Sequence, residues 1–200
     1  MLTVITAPST PIITLGQAKL QCRILTAVTD EDSLLTDLLV PAAEERAETD
    51  TNRQLLTAVY DLKLRGFPCD FIDVPRPPLV SVGSIKYLDT AGIEQTLATT
   101  EYVVSAPAGR RCARGRIELA YGKTWPSTLD QMNAVTVRFT AGYGAAASVP
   151  AMLKGAMLLD LGTLYAHREE FLAGVTIEKL PRVDAIYSSF RSYPPKRAAA

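Results

Sequence analysis

Val135-Thr136-Val137-Arg138-Phe139-Thr140-Ala141-Gly142-Tyr143-Gly144-Ala145-Ala146-Ala147-Ser148-Val149-Pro150-Ala151-Met152-Leu153-Lys154 changes period partway along its length. Up to Thr140, Val135, Val137 and Phe139 alternate with Thr136, Arg138 and Thr140, the two-residue repeat of a half-buried strand. Beyond Ser148 and Pro150, which mark a helix start, Met152, Leu153, Ala156, Met157, Leu159, Leu161, Leu164 and Tyr165 fall at helical spacing. This run, to about residue 171, is the most apolar helical pattern in the chain and predicts the core helix. The small residues at the junction contain neither GxxxxGK[ST] nor GxGxxG, so they read as a strand-to-helix connection rather than a phosphate cradle.

Working back from the junction, the same two-residue period recurs. From Leu55, Val59, Asp61 and Lys63 alternate with Tyr60, Leu62 and Leu64. Ser81 to Leu88 runs into Asp89-Thr90-Ala91-Gly92, whose Asp and Gly suit a turn between antiparallel strands. Tyr102–Val104 and Ile117–Tyr121 add further short strands, making an antiparallel β module over residues 55–145. Ahead of it, residues 1–13 predict an extended arm, because β-branched residues and two prolines disfavour helix. Thr14 and Gln17 fit a capping box for a helix reaching about residue 24. A second helix spans about 31–50, with Asp30, Glu31 and Asp32 at its start and Leu34, Leu35, Leu38, Leu39 and Ala42 on its apolar stripe. Pro41 is expected to kink or break it. After the core helix come a loop over 172–181, a short helix from Val183 to Phe190 and a tail from Tyr193.

The expectation is an α+β protein of one domain over 1–200. A small α-helical bundle (14–52 and 149–171) carries an inserted antiparallel β module (55–145) and extended N- and C-terminal arms, the latter over 172–200.

Composition narrows function. With 48% hydrophobic residues and a mean hydropathy of +0.10, the 200 residues suffice for a real core. Lys plus Arg equals Asp plus Glu at 21 each, which excludes a global basic field for nucleic acid or membrane surfaces. The start lacks the charged and compact apolar regions of a secretory signal, and no stretch approaches the roughly 20 apolar residues of a membrane span. The chain is expected to be made in the cytoplasm, with Cys22, Cys69 and Cys112 reduced.

His167 is the only histidine, which removes most Ser-His-Asp and Cys-His schemes, and with three scattered cysteines it offers no metal-ligand spacing. The carboxylate pairs Glu44 with Glu48 and Asp70 with Asp73 read as solvated surface charge. No catalytic, cofactor or metal residues are expected. The charge feature that stands out is Gly109-Arg110-Arg111-Cys112-Ala113-Arg114-Gly115-Arg116, four arginines within seven residues. Such a loop either contacts DNA or an acidic partner, since Arg bridges phosphate and carboxylate bidentately, or forms a solvated hairpin rim. At the C-terminus, Ile186, Tyr187, Phe190 and Tyr193 have too little sequence around them for a core of their own. They are expected to anchor on a partner, and residues 181–200 to be dispensable for folding.

Several blocks resemble, in order and spacing, the head-tail connector (adaptor, or head-completion) family of tailed bacteriophages, in its β-inserted branch. They are Leu34-Leu35 with Ala42-Ala43-Glu44-Glu45, the run from Val74 through Pro77-Pro78-Leu79-Val80-Ser81 to Asp89, Glu101 to Val104, Trp125-Pro126, Val135 to Gly144, Val149-Pro150 to Lys154, and Leu164-Tyr165 to Glu169. The match spans about residues 14–171. It implies a virion structural protein of the neck, not an enzyme and without cofactors. Such proteins form a homo-oligomeric ring, usually a dodecamer, on the portal protein. The ring extends the channel for packaged DNA and receives a stopper or tail-completion protein; no membrane is involved. On this reading Ile186, Tyr187, Phe190 and Tyr193 bind the portal, and Arg110, Arg111, Arg114 and Arg116 face the DNA channel or the next component. The alternatives are a small cytosolic enzyme using carboxylates from the β module, and a DNA-binding assembly factor acting through the arginine loop.

Overall fold

Along the described residues of the computed structural model, 1–167 and 181–194, the chain runs β1 (Leu2–Thr6), α1 (Leu15–Cys22), α2 (Val40–Thr51), β2 (Ala58–Leu64), β3 (Ile72–Val74), β4 (Leu79–Leu88), β5 (Glu94–Thr96), β6 (Tyr102–Ser105), β7 (Gly115–Leu119), β8 (Val135–Ala141), α3 (Ala151–Ala166) and α4 (Pro181–Phe190). The class is α+β, as expected. Two compact units emerge: a β unit of Met1–Pro8, Arg53–Tyr143 and Ser192–Ala200, and a helical unit of Ser9–Asn52 and Gly144–Arg191.

In the β unit, a five-stranded antiparallel sheet has the order β1-β2-β8-β4-β5, and a three-stranded one the order β3-β7-β6. The alternation read in β8 sets its faces: Val135, Val137, Phe139 and Ala141 are buried, while Arg138 is exposed. They join Tyr60, Leu62, Ile72, Val74, Ile85 and Ile117 in one core, each large side chain contributing about 1.5–3 kcal/mol by leaving water. Phe139 stacks on Tyr60 with ring centroids 5.5 Å apart. The expected N-terminal arm is extended, but it is not free. Leu2–Thr6 pairs antiparallel with β2, Leu2 opposite Leu62, because its β-branched residues supply a fitting sheet edge. The turn at Asp89–Gly92 does join antiparallel strands, β4 and β5, with Leu88 opposite Glu94; the strand β3 was not expected, because three residues are too short to show a period. The small residues after β8 have a stricter reason than size. Gly142 sits at φ +125°, and a Cβ there would lie 2.3 Å from the Leu56 carbonyl oxygen.

The helical unit begins as expected. Thr14 caps α1, its side chain accepting from the Gln17 N–H while the Gln17 side chain accepts from the Thr14 N–H. Leu20, near the end of that helix, is 80% exposed. The second helix departs more from expectation. Leu34–Leu39 forms a π-helical turn, with the Val40 N–H donating to the Leu35 carbonyl, and α2 proper starts at Val40 with Pro41 in its first turn. Proline has no N–H and its ring crowds the carbonyl four residues back, so the wider turn accommodates it. The same widening turns Leu38 outward, 58% exposed, although Leu35 and Leu39 are buried. α3 packs against α1, α2 and α4, burying Leu153, Ala156, Met157 and Leu161. Its described extent ends at Ala166, with the exposed His167 as cap. The expected continuation to residue 171, the loop over 172–180 and the last tail residues lie outside the described residues.

Candidate interaction sites

The arginine loop joins β6 to β7 in the β unit, and it is held rather than solvated along its length. Arg53, 2% exposed, donates from its guanidinium to the Cys112 carbonyl at 2.8 Å and to Cys112 Sγ at 3.5 Å. The Tyr143 hydroxyl donates to the Arg110 carbonyl at 2.6 Å. Burial raises the Tyr143 phenol above its usual range, so it keeps its proton for that bond. Where the loop re-enters the sheet, a Cβ on Gly115 would lie 2.2 Å from Leu79 Cδ2, so the chain passes only as glycine.

The four arginines divide. Arg114 is mostly buried and paired with Asp73 at 2.7 Å, and the Arg116 guanidinium lies 4.6 Å from the centre of the Phe71 ring. Arg110 and Arg111 are exposed, and Arg110 makes no ion pair among the described residues. Asp73 is therefore no idle surface charge. It borders a 540 Å³ cleft lined mainly by apolar groups, among them Leu62, Leu64, Phe71 and Ile72, whose charged members are Asp73, Arg65 and Arg114.

The C-terminal anchors divide as well. Tyr187 and Phe190 are 1% and 3% exposed, and with Val183 they are part of the helical unit's core. The expectation that they lack a core of their own is overturned for Tyr187 and Phe190. The cause is α4 lying on α3 and α2, contacts that local sequence does not reveal. Ile186 is half-buried and Tyr193 is 70% exposed.

Around α4 the helical unit builds a site that the sequence reading missed. Arg46 pairs with Asp160, with Asp184 at 3.0 Å and with Asp50 at 3.5 Å, and it lies 6.0 Å from the centre of the Tyr187 ring. Burial alone would lower the Arg46 pKa, but the three aspartates hold it above its usual value. Burial outweighs Arg46 at Asp160 and raises that carboxyl. Asp160 Oδ2 and the Tyr187 hydroxyl are buried without a hydrogen-bond partner among the described residues. Burial, reinforced by Asp160, pushes the Tyr187 phenol far above its ordinary value. The Arg191 guanidinium donates to the Asp50 carbonyl at 2.7 Å. A 460 Å³ pocket opens here, lined by Arg46, Asp50, Asp184, Tyr187, Ser188 and Arg191. One signal pointed to it: Asp160 is the sole acid in the apolar α3 and requires a cation.

Glu44 is likewise not the surface charge expected of it. It accepts from the Ile12 and Ile13 N–H groups at 2.6 and 3.2 Å, stapling the start of the helical unit, and burial raises its pKa against those bonds. Among the described residues no group of three His, Cys, Asp or Glu is placed to hold a metal, and no helix is long and apolar enough to cross a membrane.

No family model matches the chain, and no curated protein does. Solved structures do. The chain is similar to one from the neck of an empty gene transfer agent particle computed with C6 symmetry, at 24% identity and a TM-score of 0.78, covering 98% of this chain and 97% of that one. The same identity and coverage hold for a chain of the virion of the native gene transfer agent particle, with a TM-score of 0.78. They hold again for a chain of the native particle's neck computed with C12 symmetry, with a TM-score of 0.72. At this identity the likeness establishes the fold, over essentially the whole chain.

Proposed function

We propose that the protein is a non-enzymatic structural subunit of the neck of a phage-like particle. It acts as a head-tail connector that forms a ring on the portal, extends the DNA channel and offers the attachment site for a stopper or tail protein. The observation that carries this reading is the likeness, over nearly the full length of both chains, to chains from particle necks. The C6 and C12 symmetries of those necks favour a ring of six or twelve copies. Surface features agree with a scaffold: a held arginine loop, and exposed apolar residues such as Leu20, Leu38 and Tyr193 that suit protein contacts. Ile186 and Tyr193 remain the portal-facing candidates of the C-terminal segment, while Tyr187 and Phe190 hold α4 in place.

The test is complementation. Particles made without this protein are expected to be heads that lack tails or lose DNA, and purified protein added to portal-bearing heads restores attachment. Heads that join tails normally in its absence overturn the reading. Changing Arg110, Arg111, Arg114 and Arg116 together to Gln is expected to leave head attachment intact but weaken DNA retention or joining of the next component. High salt reproduces that defect, because charge contacts to polyanions weaken as salt rises.

A further inference from the structure

The neutral chain is two oppositely charged bodies. Residues 9–52 and 144–191, the helical unit, hold eight Lys and Arg against thirteen Asp and Glu, a net charge of −5. The remaining residues, the β unit, hold thirteen against eight, a net charge of +5. A polyanion is attracted to the second body and repelled by the first. Within the β unit, the loop between β6 and β7 presents charge and little else: its exposed members are Ala106, Ala108, Gly109, Arg110, Arg111 and Ala113. An arginine that anchors a protein interface sits inside a ring of contacts that exclude water, and these neighbours are too small to supply one. Phosphates of a nucleic acid backbone ask only for charge at the right place.

Nor is the loop a slack rim. The buried Arg53 holds the Cys112 carbonyl at 2.8 Å, and the Tyr143 hydroxyl holds the Arg110 carbonyl at 2.6 Å, so the stretch that carries Arg110 and Arg111 is braced from beneath. Taking a guanidinium out of water is costly, and a rim with nothing to contact needs no such brace. The four arginines are not equivalent. Arg114 is paired with Asp73 at 2.7 Å, and Arg116, already in β7, lies 4.6 Å from the centre of the Phe71 ring. Arg110 and Arg111 reach solvent from the braced backbone, and Arg110 makes no ion pair among the described residues.

We propose that Arg110 and Arg111 bind the phosphate backbone of duplex DNA without reading its sequence, and that Arg53 and Tyr143 are positioning residues that hold them for that contact. Arg114 and Arg116 serve the fold of the β unit instead. Because the loop is ordered before contact, it has less freedom to lose on binding. Two arginines make a weak contact alone and a strong one when it is repeated along the same polyanion. The proposal rests on the ring reading only for that repetition; the contact itself is a property of the purified protein.

Titrating the full-length protein into a fluorescein-labelled duplex of mixed sequence, at a series of salt concentrations, tests it. The logarithm of the affinity is expected to fall linearly with the logarithm of salt. Arg110→Gln with Arg111→Gln flattens that slope by about 1.8, or about 0.9 for each phosphate contact given up. Arg114→Gln with Arg116→Gln leaves the slope as it is; should that pair unfold the β unit, Arg116→Gln alone is the comparison. Tyr143→Phe removes only the donation to the Arg110 carbonyl, and it is expected to keep the slope while weakening binding about fivefold, the effect of one lost hydrogen bond. A purely structural role for Tyr143 would move the melting temperature and not the affinity. Circular dichroism melts of each variant confirm that it is folded. A duplex left unbound at the lowest salt, or equal flattening by the two arginine pairs, overturns the proposal. So does an Arg110→Gln, Arg111→Gln variant that keeps the wild-type slope and DNA retention but fails to join the next component, which assigns the loop to an acidic protein surface instead. Failure of the neck reading shows separately, as heads that complete without the protein while the purified protein still binds the duplex.

Discussion

The β unit neutralises its charges in place, whereas the helical unit concentrates them. Across β2 and β8, Asp61 and Arg138 stand directly opposite and join through two 2.8 Å hydrogen bonds, and Arg65–Asp130, Lys86–Glu94 and Lys123–Glu101 are similarly local. Beyond these pairs, Arg110 and Arg111 stay exposed on one loop. In the helical unit three aspartates converge on Arg46 from α2, α3 and α4, leaving Asp160 Oδ2 without a hydrogen-bond partner among the described residues. The lesson is one of scale. A net charge of zero says nothing about partners until it is resolved onto the folded bodies.

The strongest way to break this comparison is to put a charge where the helical unit tolerates none. Leu161 has no exposed surface, and Leu161→Asp is expected to cost about 5 kcal/mol or more, beyond the usual range for one substitution. Loss of the 222 nm helical signal at temperatures where the wild type is folded is the expected result; near-wild-type melting refutes the core assignment. On the other side, Phe139→Ala removes the ring stacked on Tyr60 and is expected to cost about 3–5 kcal/mol, read from denaturant midpoints. Trp125, the only tryptophan, stacks on Phe67 at 4.6 Å and makes fluorescence a reporter of the β unit alone.

Acid sharpens the comparison. Burial holds Glu44 and Asp160 above the usual carboxylate range, so the folded helical unit binds protons more tightly than its unfolded chain. It gains stability as pH falls from 7 through those raised values, and the gain is complete below the unfolded values of about 4. Asp61 behaves oppositely. The hydrogen bonds from Arg138 hold its carboxyl below the usual range, so its contribution is present above about pH 4 and is lost as pH falls through the folded value. Helical circular dichroism and Trp125 fluorescence, followed together in melts at pH 7, 5 and 3, are expected to respond in opposite directions; parallel curves contradict the assignment. The smallest effect is expected at the first helix. Thr14→Ala removes the cap that accepts from Gln17 and is expected to cost about 1 kcal/mol, read as a small drop in melting temperature.

Much of this was legible in the residues because it depends on period and local chemistry. The alternation in β8, the Thr14 box and the leucines of α3 announced their elements. The π-helical turn was not legible, since Pro41 signals a break without saying how the chain widens to meet it. Nor was the pocket: Arg46 lies 114 residues from Asp160 and 138 from Asp184, and no local pattern joins them. The C-terminal aromatics misled for a related reason. A short apolar helix reads alike whether it awaits a partner or completes a core, and Tyr187 and Phe190 complete one. In the arginine loop, sequence showed the density of charge but not that Arg114 and Arg116 already have companions in Asp73 and Phe71.

The meeting of β2 and β8 has a consequence for how such a chain can vary. Ala58 lies opposite Ala141, the Gly142 N–H donates to the Pro78 carbonyl at 2.9 Å, and the Tyr143 N–H donates to the Leu55 carbonyl at 3.1 Å. The ninety-odd residues from Arg53 to Tyr143 thus depart and return side by side, zipped at their base. A segment with that geometry is a cassette. Its hairpins can lengthen, shorten or be exchanged wholesale without altering the distance the helical frame must span, provided the replacement keeps a paired base and an edge for β1.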